Sequence, residues 1–128
     1  AHDGDVLYRG HALIAPGNYH LALESGHEGF KARVTSDPPV NLFRPSVDVL
    51  FYSVARSAGC AAVAVLLTGM GGDGARGMLA IHEAGGLTVA QDEVSSAVFG
   101  MPREAIRIGA ARHVRDIDGI INFLNTIG

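Results

Sequence analysis

Apolar residues in this 128-residue chain change their spacing part-way along. In the first third they alternate. His20-Leu21-Ala22-Leu23-Glu24 and Phe30-Lys31-Ala32-Arg33-Val34-Thr35 place every second side chain on one face, as half-buried strands do. Ser25 to Gly29 supplies turn chemistry between them, and His11 to Ala15, followed by Pro16-Gly17-Asn18, predicts a third short strand. The expectation is an antiparallel meander. Pro38-Pro39 then bars regular structure, because proline has a fixed φ and no N–H.

Beyond Pro45 the period becomes helical. Val47, Leu50, Phe51, Val54 and Ala55 share one helix face, with Pro45 suited to the first turn and Gly59 to the end. Ala61 to Leu67 is apolar without alternation, which predicts a strand buried on both faces of a parallel sheet. A helix around Met78 to His82 stops at Gly85-Gly86, and Leu87 to Ala90 is a further strand. Ser95 and Ser96 are placed to cap a short helix, and Pro102 opens another. His113-Val114 forms a last strand, and Asp116 caps a terminal helix through Leu124. Strands alternating with helices after a β-meander specify an α/β protein with a parallel sheet.

Composition narrows the possibilities. A net charge of −3 is not the basic footprint of a nucleic-acid binder. The single cysteine, Cys60, excludes a disulfide framework and a cysteine-rich zinc site, and its small apolar neighbours read it as buried in a reducing compartment. The apolar run from Cys60 to Leu67 is far short of the roughly 20 residues of a membrane span. The chain opens Ala1-His2-Asp3 with neither an initiator Met nor a leader, and reads as a piece of a longer protein.

The chemistry concentrates in Leu67-Thr68-Gly69-Met70-Gly71-Gly72-Asp73-Gly74, a glycine-dense turn between a buried strand and a helix. Ligands gather at such carboxyl ends of strands. Three readings fit. Gly69 to Gly74 matches a G-x-G-x-x-G dinucleotide fingerprint, with Asp92 placed as a ribose acid, although a carboxylate inside the turn would repel a pyrophosphate. Asp73 could instead be the orienting acid of a catalytic triad beside oxyanion-binding amides, or simply a cap on the next helix.

Four stretches, in order, carry a likeness: Gly10 to Gly17; Asp37-Pro38-Pro39-Val40-Asn41 with Arg44 to Phe51; Leu67 to Ala75; and Ala90 to Glu93 with Phe99 to Ala105. Together they resemble the catalytic domain of the chemotaxis protein-glutamate methylesterases (the CheB type). The resemblance implies a cytoplasmic Ser-His-Asp esterase, without a metal or organic cofactor, acting in chemotactic signal transduction. Such enzymes hydrolyse γ-glutamyl methyl esters on the cytoplasmic domain of methylated chemoreceptors and deamidate selected glutamines. It implies a Rossmann-like three-layer domain with a mostly parallel sheet and an N-terminal hairpin or meander. It places the triad acid at Asp73 and an oxyanion-binding backbone N–H at Met70.

The family's serine and histidine motifs, which precede the hairpin, have no counterpart here. Residues 1–128 are therefore expected to be the C-terminal two-thirds of the catalytic domain, without its first strands and without a phosphorelay receiver domain upstream. Leu42-Phe43 also departs from the family, which is commonly more polar there. Local substitutes for the missing groups are poor. Ser46, Ser95 and Ser96 read as helix caps, His20, His82 and His113 as structural, and Arg44 as the partner of Asp48. Met70, Met78 and Met101 read as packing residues, with only the backbone of Met70 acting. Without its neighbours, the strand at residues 61–67 should expose an edge, through which the isolated chain, itself expected to lack esterase activity, would self-associate. A non-catalytic binding module of the same fold is the other reading the sequence leaves open.

Overall fold

A computed structural model describes residues 1–127. The chain begins with a hairpin of β1 (His20–Gly26) and β2 (Gly29–Thr35), antiparallel with Leu21 opposite Val34 and Gly26 opposite Gly29. The expected strand at residues 11–15 does not form. The place beside β2 is taken by an earlier segment: Gly4 and Leu7 donate to Ala32 and Phe30, and Ala32 donates back to Asp5. Those bonds satisfy the edge of β2 in place of residues 11–15.

Helix α1 (Val47–Ser57) follows and packs on β1, and a short 3₁₀ turn leads to β3 (Val63–Leu66). Then come α2 (Ala75–Glu83), β4 (Leu87–Gln91), α3 (Met101–Arg107), β5 (His113–Arg115) and α4 (Ile117–Ile127). The sheet is parallel in the order β3-β4-β5, with Val65 beside Val89 and Val89 beside His113. The α/β architecture with an N-terminal antiparallel hairpin is the one expected.

The core gathers Ala62, Ala64 and Leu66 of the β3 segment under Met78 and Ile81 of α2, with Phe51 and Val54 of α1 against them. Small side chains on β3 and α2 let the helices approach closely. At Gly77 an added Cβ would lie 2.6 Å from Cβ of Phe51, so α1 and α2 cross where only a hydrogen fits. Central β4 is buried along nearly its whole length, whereas β3 is an edge strand. It buries Ala64 and Leu66 but leaves Val63 38% exposed, so the expectation of burial on both faces fails on one face.

Other expectations are corrected locally. Residues 95–100 form turns and no helix: Ser95 and Ser96 hydroxyls donate to the Asp92 carboxylate and carbonyl, 2.6 Å each, and close a local loop. Cys60 is exposed, because it lies on the 3₁₀ turn at the end of α1 and not inside β3. Arg44 does not reach Asp48; its guanidinium donates to Asn18 Oδ1 (2.8 Å) and the Ser36 carbonyl (3.1 Å). Met78 is fully buried and Met101 packs on the core, but Met70 is 75% exposed and stands outside that core. Asp116 does cap α4, accepting from Gly119 N–H at 2.7 Å. Among the described residues, no helix is long and apolar enough to cross a membrane.

Candidate functional site

The loop from β3 to α2 is held by its neighbours. Gln91, buried on β4, accepts from Thr68 N–H at 2.7 Å, and Thr68 Oγ1 bonds both ends of Val98. Gly69 N–H donates to Val98, while its carbonyl accepts from Gly100 and Met101 at 3.0 and 2.8 Å. The Gly69 carbonyl thus points at the start of α3. A trans peptide sets the next N–H antiparallel to that carbonyl, so the Met70 N–H is fixed pointing away from α3. It has no backbone acceptor among the described residues.

Gly74 ends the loop at φ +98°, where an L side chain is strained and a Cβ would meet Leu66 and Val47 at 2.9 Å. That reversal turns Asp73 away from its own helix. Asp73 is 4% exposed as a residue, and its carboxylate sits at the N-terminus of α1 instead. Oδ2 accepts from Val47 N–H at 2.7 Å. Oδ1 accepts from Ser46 Oγ (2.7 Å), Asn41 Nδ2 (2.9 Å) and Asp48 N–H (3.2 Å). Ser46 occupies the capping position of α1 but makes no capping bond, because its hydroxyl donates to Asp73, which itself takes the Val47 and Asp48 amides. Asp73 is a cap, as one reading had it, but of α1 and not α2.

A second buried carboxylate stands next to the first. Asp48 accepts from Gly77 N–H of α2 at 2.7 Å and from Asn41 Nδ2 at 2.7 Å. Among the described residues neither Asp48 nor Asp73 has a cationic partner within ion-pair distance. Their charge is balanced by hydrogen-bond donors and by the positive N-terminal ends of α1 and α2. Behind Ser46, buried His20 accepts the Ser46 N–H at Nδ1 (3.2 Å) and so donates from Nε2 to the Pro38 carbonyl (2.9 Å). His20 is structural, as expected.

A cleft of about 780 Å³ opens over this cluster, with Asp73, Asn41, Phe43, Gly72, Phe99 and Arg103 among its walls. Each carboxylate oxygen has two lone pairs, and Oδ2 of Asp73 has used one. Oδ2 therefore retains acceptor capacity for a further N–H donor. The loop suits a pyrophosphate badly, since the Asp48 carboxylate already accepts from Gly77 N–H in the first turn of α2, the helix N-terminus that an anion would need. Asp92 is also committed: Ser95 hydroxyl and N–H donate to it and hold its carboxyl below the ordinary aspartate range. Glu104 is similarly lowered by its paired Arg107 at the cleft mouth. Among the described residues no three His, Cys, Asp or Glu side chains converge as a metal site requires.

Asp73 and the Met70 amide belong to one loop; among the described residues Ser95, Ser96, His82 and His113 have no hydrogen bond to either of them. Sequence reasoning missed Asn41 and the true role of Ser46. Both lie within the quoted stretches at 37–41 and 44–51, but nothing in those residues reveals a contact across some thirty positions of chain.

Comparison with known proteins identifies what the arrangement is like. A sequence profile for the CheB methylesterases matches residues 1–124. Protein-glutamate methylesterase/protein-glutamine glutaminase from Salmonella typhi is 52% identical over 120 residues, covering 94% of this chain and 34% of the relative. The protein of that name from Pectobacterium atrosepticum is 56% identical over 117 residues, 91% of this chain and 33% of the relative. The chain spans about a third of the length of these curated relatives. The crystal structure of the Thermotoga maritima CheB methylesterase catalytic domain superposes with a TM-score of 0.95 at 33% identity, covering all of this chain and 68% of that one.

Proposed function

This chain belongs to the CheB methylesterase family, and from that premise we propose that residues 1–128 are the C-terminal two-thirds of the catalytic domain of a cytoplasmic protein-glutamate methylesterase. The substrates are γ-glutamyl methyl esters, and selected glutamines, on the cytoplasmic domain of chemoreceptors. The serine and histidine of the triad come from a segment outside these residues. A receiver domain is a further partner; nucleic acid is not.

In this reading the incoming imidazole donates its N–H to the open lone pair of Asp73 Oδ2. The carboxylate fixes the tautomer and stabilises the imidazolium that forms when the serine proton is taken. The serine oxygen attacks the ester carbon, and the Met70 N–H receives the negative charge that develops on the carbonyl oxygen. Methanol leaves with the proton returned by the imidazole, and water then releases the γ-carboxylate. With glutamine the leaving group is ammonia.

The observation that supports this most is a buried carboxylate with one unused acceptor position in the wall of a cleft, on the same loop as a peptide held by N–H groups at the start of α3. The test is methanol release from methylated receptor by the complete protein. Steady release by the complete protein, with none from residues 1–128 alone, is expected. No release by the complete protein would overturn the esterase reading and favour a binding module of the same fold.

The open edge of β3, with Val63 38% exposed and Leu67 just beyond the strand 45% exposed, supports self-association when the chain is isolated. Light scattering should find dimers or larger species. A stable monomer at high concentration would contradict this.

A further inference from the structure

We propose that Asn41, with Ser46, is a positioning residue of the esterase: it occupies Oδ1 of Asp73 so that only Oδ2 is presented to the triad imidazole. The proposal rests on the reading of Asp73 as the triad acid.

The geometry is specific. Asn41 and Leu42 form a two-residue turn with both φ positive (54° and 71°), closed by bonds between Val40 and Phe43. Asparagine is among the few side chains that tolerate this backbone. The turn sends the Asn41 amide between two buried carboxylates, and one Nδ2 group donates to Asp48 Oδ2 at 2.7 Å and to Asp73 Oδ1 at 2.9 Å. Both protons of a single NH₂ are used, one per carboxylate.

Two carboxylates brought together without a cation repel each other, and each would turn to escape. The bridging amide removes that freedom. With Ser46 and the Asp48 N–H it brings three donors to Oδ1, while Oδ2 keeps only Val47 N–H. The carboxylate therefore has one orientation and one open side. A hydroxyl or a lysine could not serve as well: the first has one proton, and the second would add a charge that competes with the imidazolium for Asp73.

Other charged groups near the cluster are Arg76 of α2 and Arg103, Glu104 and Arg107 of α3 on the cleft wall, with Asp48 beneath and His20 behind Ser46. None of these side chains donates to Asp73 among the described residues; Asp48 reaches it only through its backbone N–H.

The test is made in the complete enzyme. Asn41→Asp keeps the shape and the tolerance of positive φ but exchanges the donor for a third carboxylate. It is expected to lower kcat on the order of 10- to 100-fold with little change in KM. The acid limb of the kcat/KM profile should move up by about one pH unit, because added negative charge favours the imidazolium. Asn41→Gly, which also fits the backbone, should lower kcat in the same way without that shift of the acid limb, because it removes the donor and adds no charge. Combined with Asp73→Asn, Asn41→Asp should cause no further loss, since it acts only through that carboxylate.

Wild-type kcat and pH profile in both Asn41 variants, alongside a crippled Asp73→Asn, would overturn the positioning role while leaving the triad intact. Losses that multiply in the double variant would also overturn it. An unimpaired Asp73→Asn would remove the triad reading and this one with it.

Discussion

Asp73→Asn is the smallest change that separates the structural role of this carboxylate from its chemistry. Every group that touches Asp73 is a donor: Asn41 Nδ2, Ser46 Oγ and the N–H groups of Val47 and Asp48. An asparagine keeps only one acceptor oxygen. Placed at the Oδ1 position, it preserves three of the four bonds and sets its NH₂ against the Val47 N–H, where 2.7 Å now separates two donors. One charge-assisted hydrogen bond lost in a buried site costs about 1.5–3 kcal/mol. The charge also leaves the N-terminus of an 11-residue helix, for about 0.3–1 kcal/mol more. The total is about 2–4 kcal/mol. Against a typical domain stability of about 5–15 kcal/mol the variant remains folded but visibly weakened.

Urea unfolding of the purified catalytic domain, followed by far-UV circular dichroism, reads this directly. With slopes of about 1–3 kcal/mol/M the midpoint should fall on the order of 1–2 M with the slope unchanged. An unchanged midpoint would refute the reasoning, because it would mean that Asp73 does not cap α1. The consequence for enzymology is practical: activity of this variant has to be measured well below its unfolding transition.

Leu42 is 95% exposed and sits at φ +71° in a turn position that favours glycine, so Leu42→Gly loses no buried surface and relieves the backbone. The relief of about 1–2 kcal/mol exceeds the added flexibility of glycine in the unfolded chain, and a net gain of about 0.5–1 kcal/mol should appear in the same urea experiment. A destabilised variant would contradict the turn assignment. Ser95 bonds hold the Asp92 carboxyl below its ordinary value, so its contribution to stability is present above the unfolded-state pKa and is lost as pH falls through the lowered folded-state value. An NMR titration should place the Asp92 midpoint below that of an ordinary aspartate, and Ser95→Ala, which removes the hydroxyl bond but keeps the backbone N–H bond, should raise it part of the way back. An identical midpoint in the two proteins would exclude the bond.

Much of the fold is legible in the sequence because its helices and strands differ in period. Val47 to Ala55 is amphipathic at helical spacing, and Leu87 to Ala90 is a short apolar run between glycine and polar residues; both form the elements expected. What the pattern cannot express is competition between distant segments for one partner. Residues 11–15 have strand character, but Gly4 to Leu7 reach the β2 edge first. Arg44 has an acid one helical turn away, but carbonyls at 36 and 37 and Asn18 lie closer to its guanidinium. Ser95 and Ser96 carry capping chemistry, but the capped group is a turn around Asp92 and not a helix.

The site divides in the same way. Asp73 and Met70 stand out locally, since a glycine-dense turn after a buried strand is unusual in itself. Asn41 and Ser46 do not, because their importance lies in contacts 32 and 27 residues away along the chain. Residues that aim a functional group are ordinary in composition and become recognisable only once the fold has joined them.

The central claim is that the open side of the Asp73 carboxylate steadies a catalytic imidazole. The most direct test is the turnover number of the complete enzyme on methylated receptor, compared between wild type and Asp73→Asn under conditions where both are folded. A loss on the order of 10⁴ in kcat is predicted, from an imidazole left in the wrong tautomer. Turnover within a few-fold of wild type would contradict the claim.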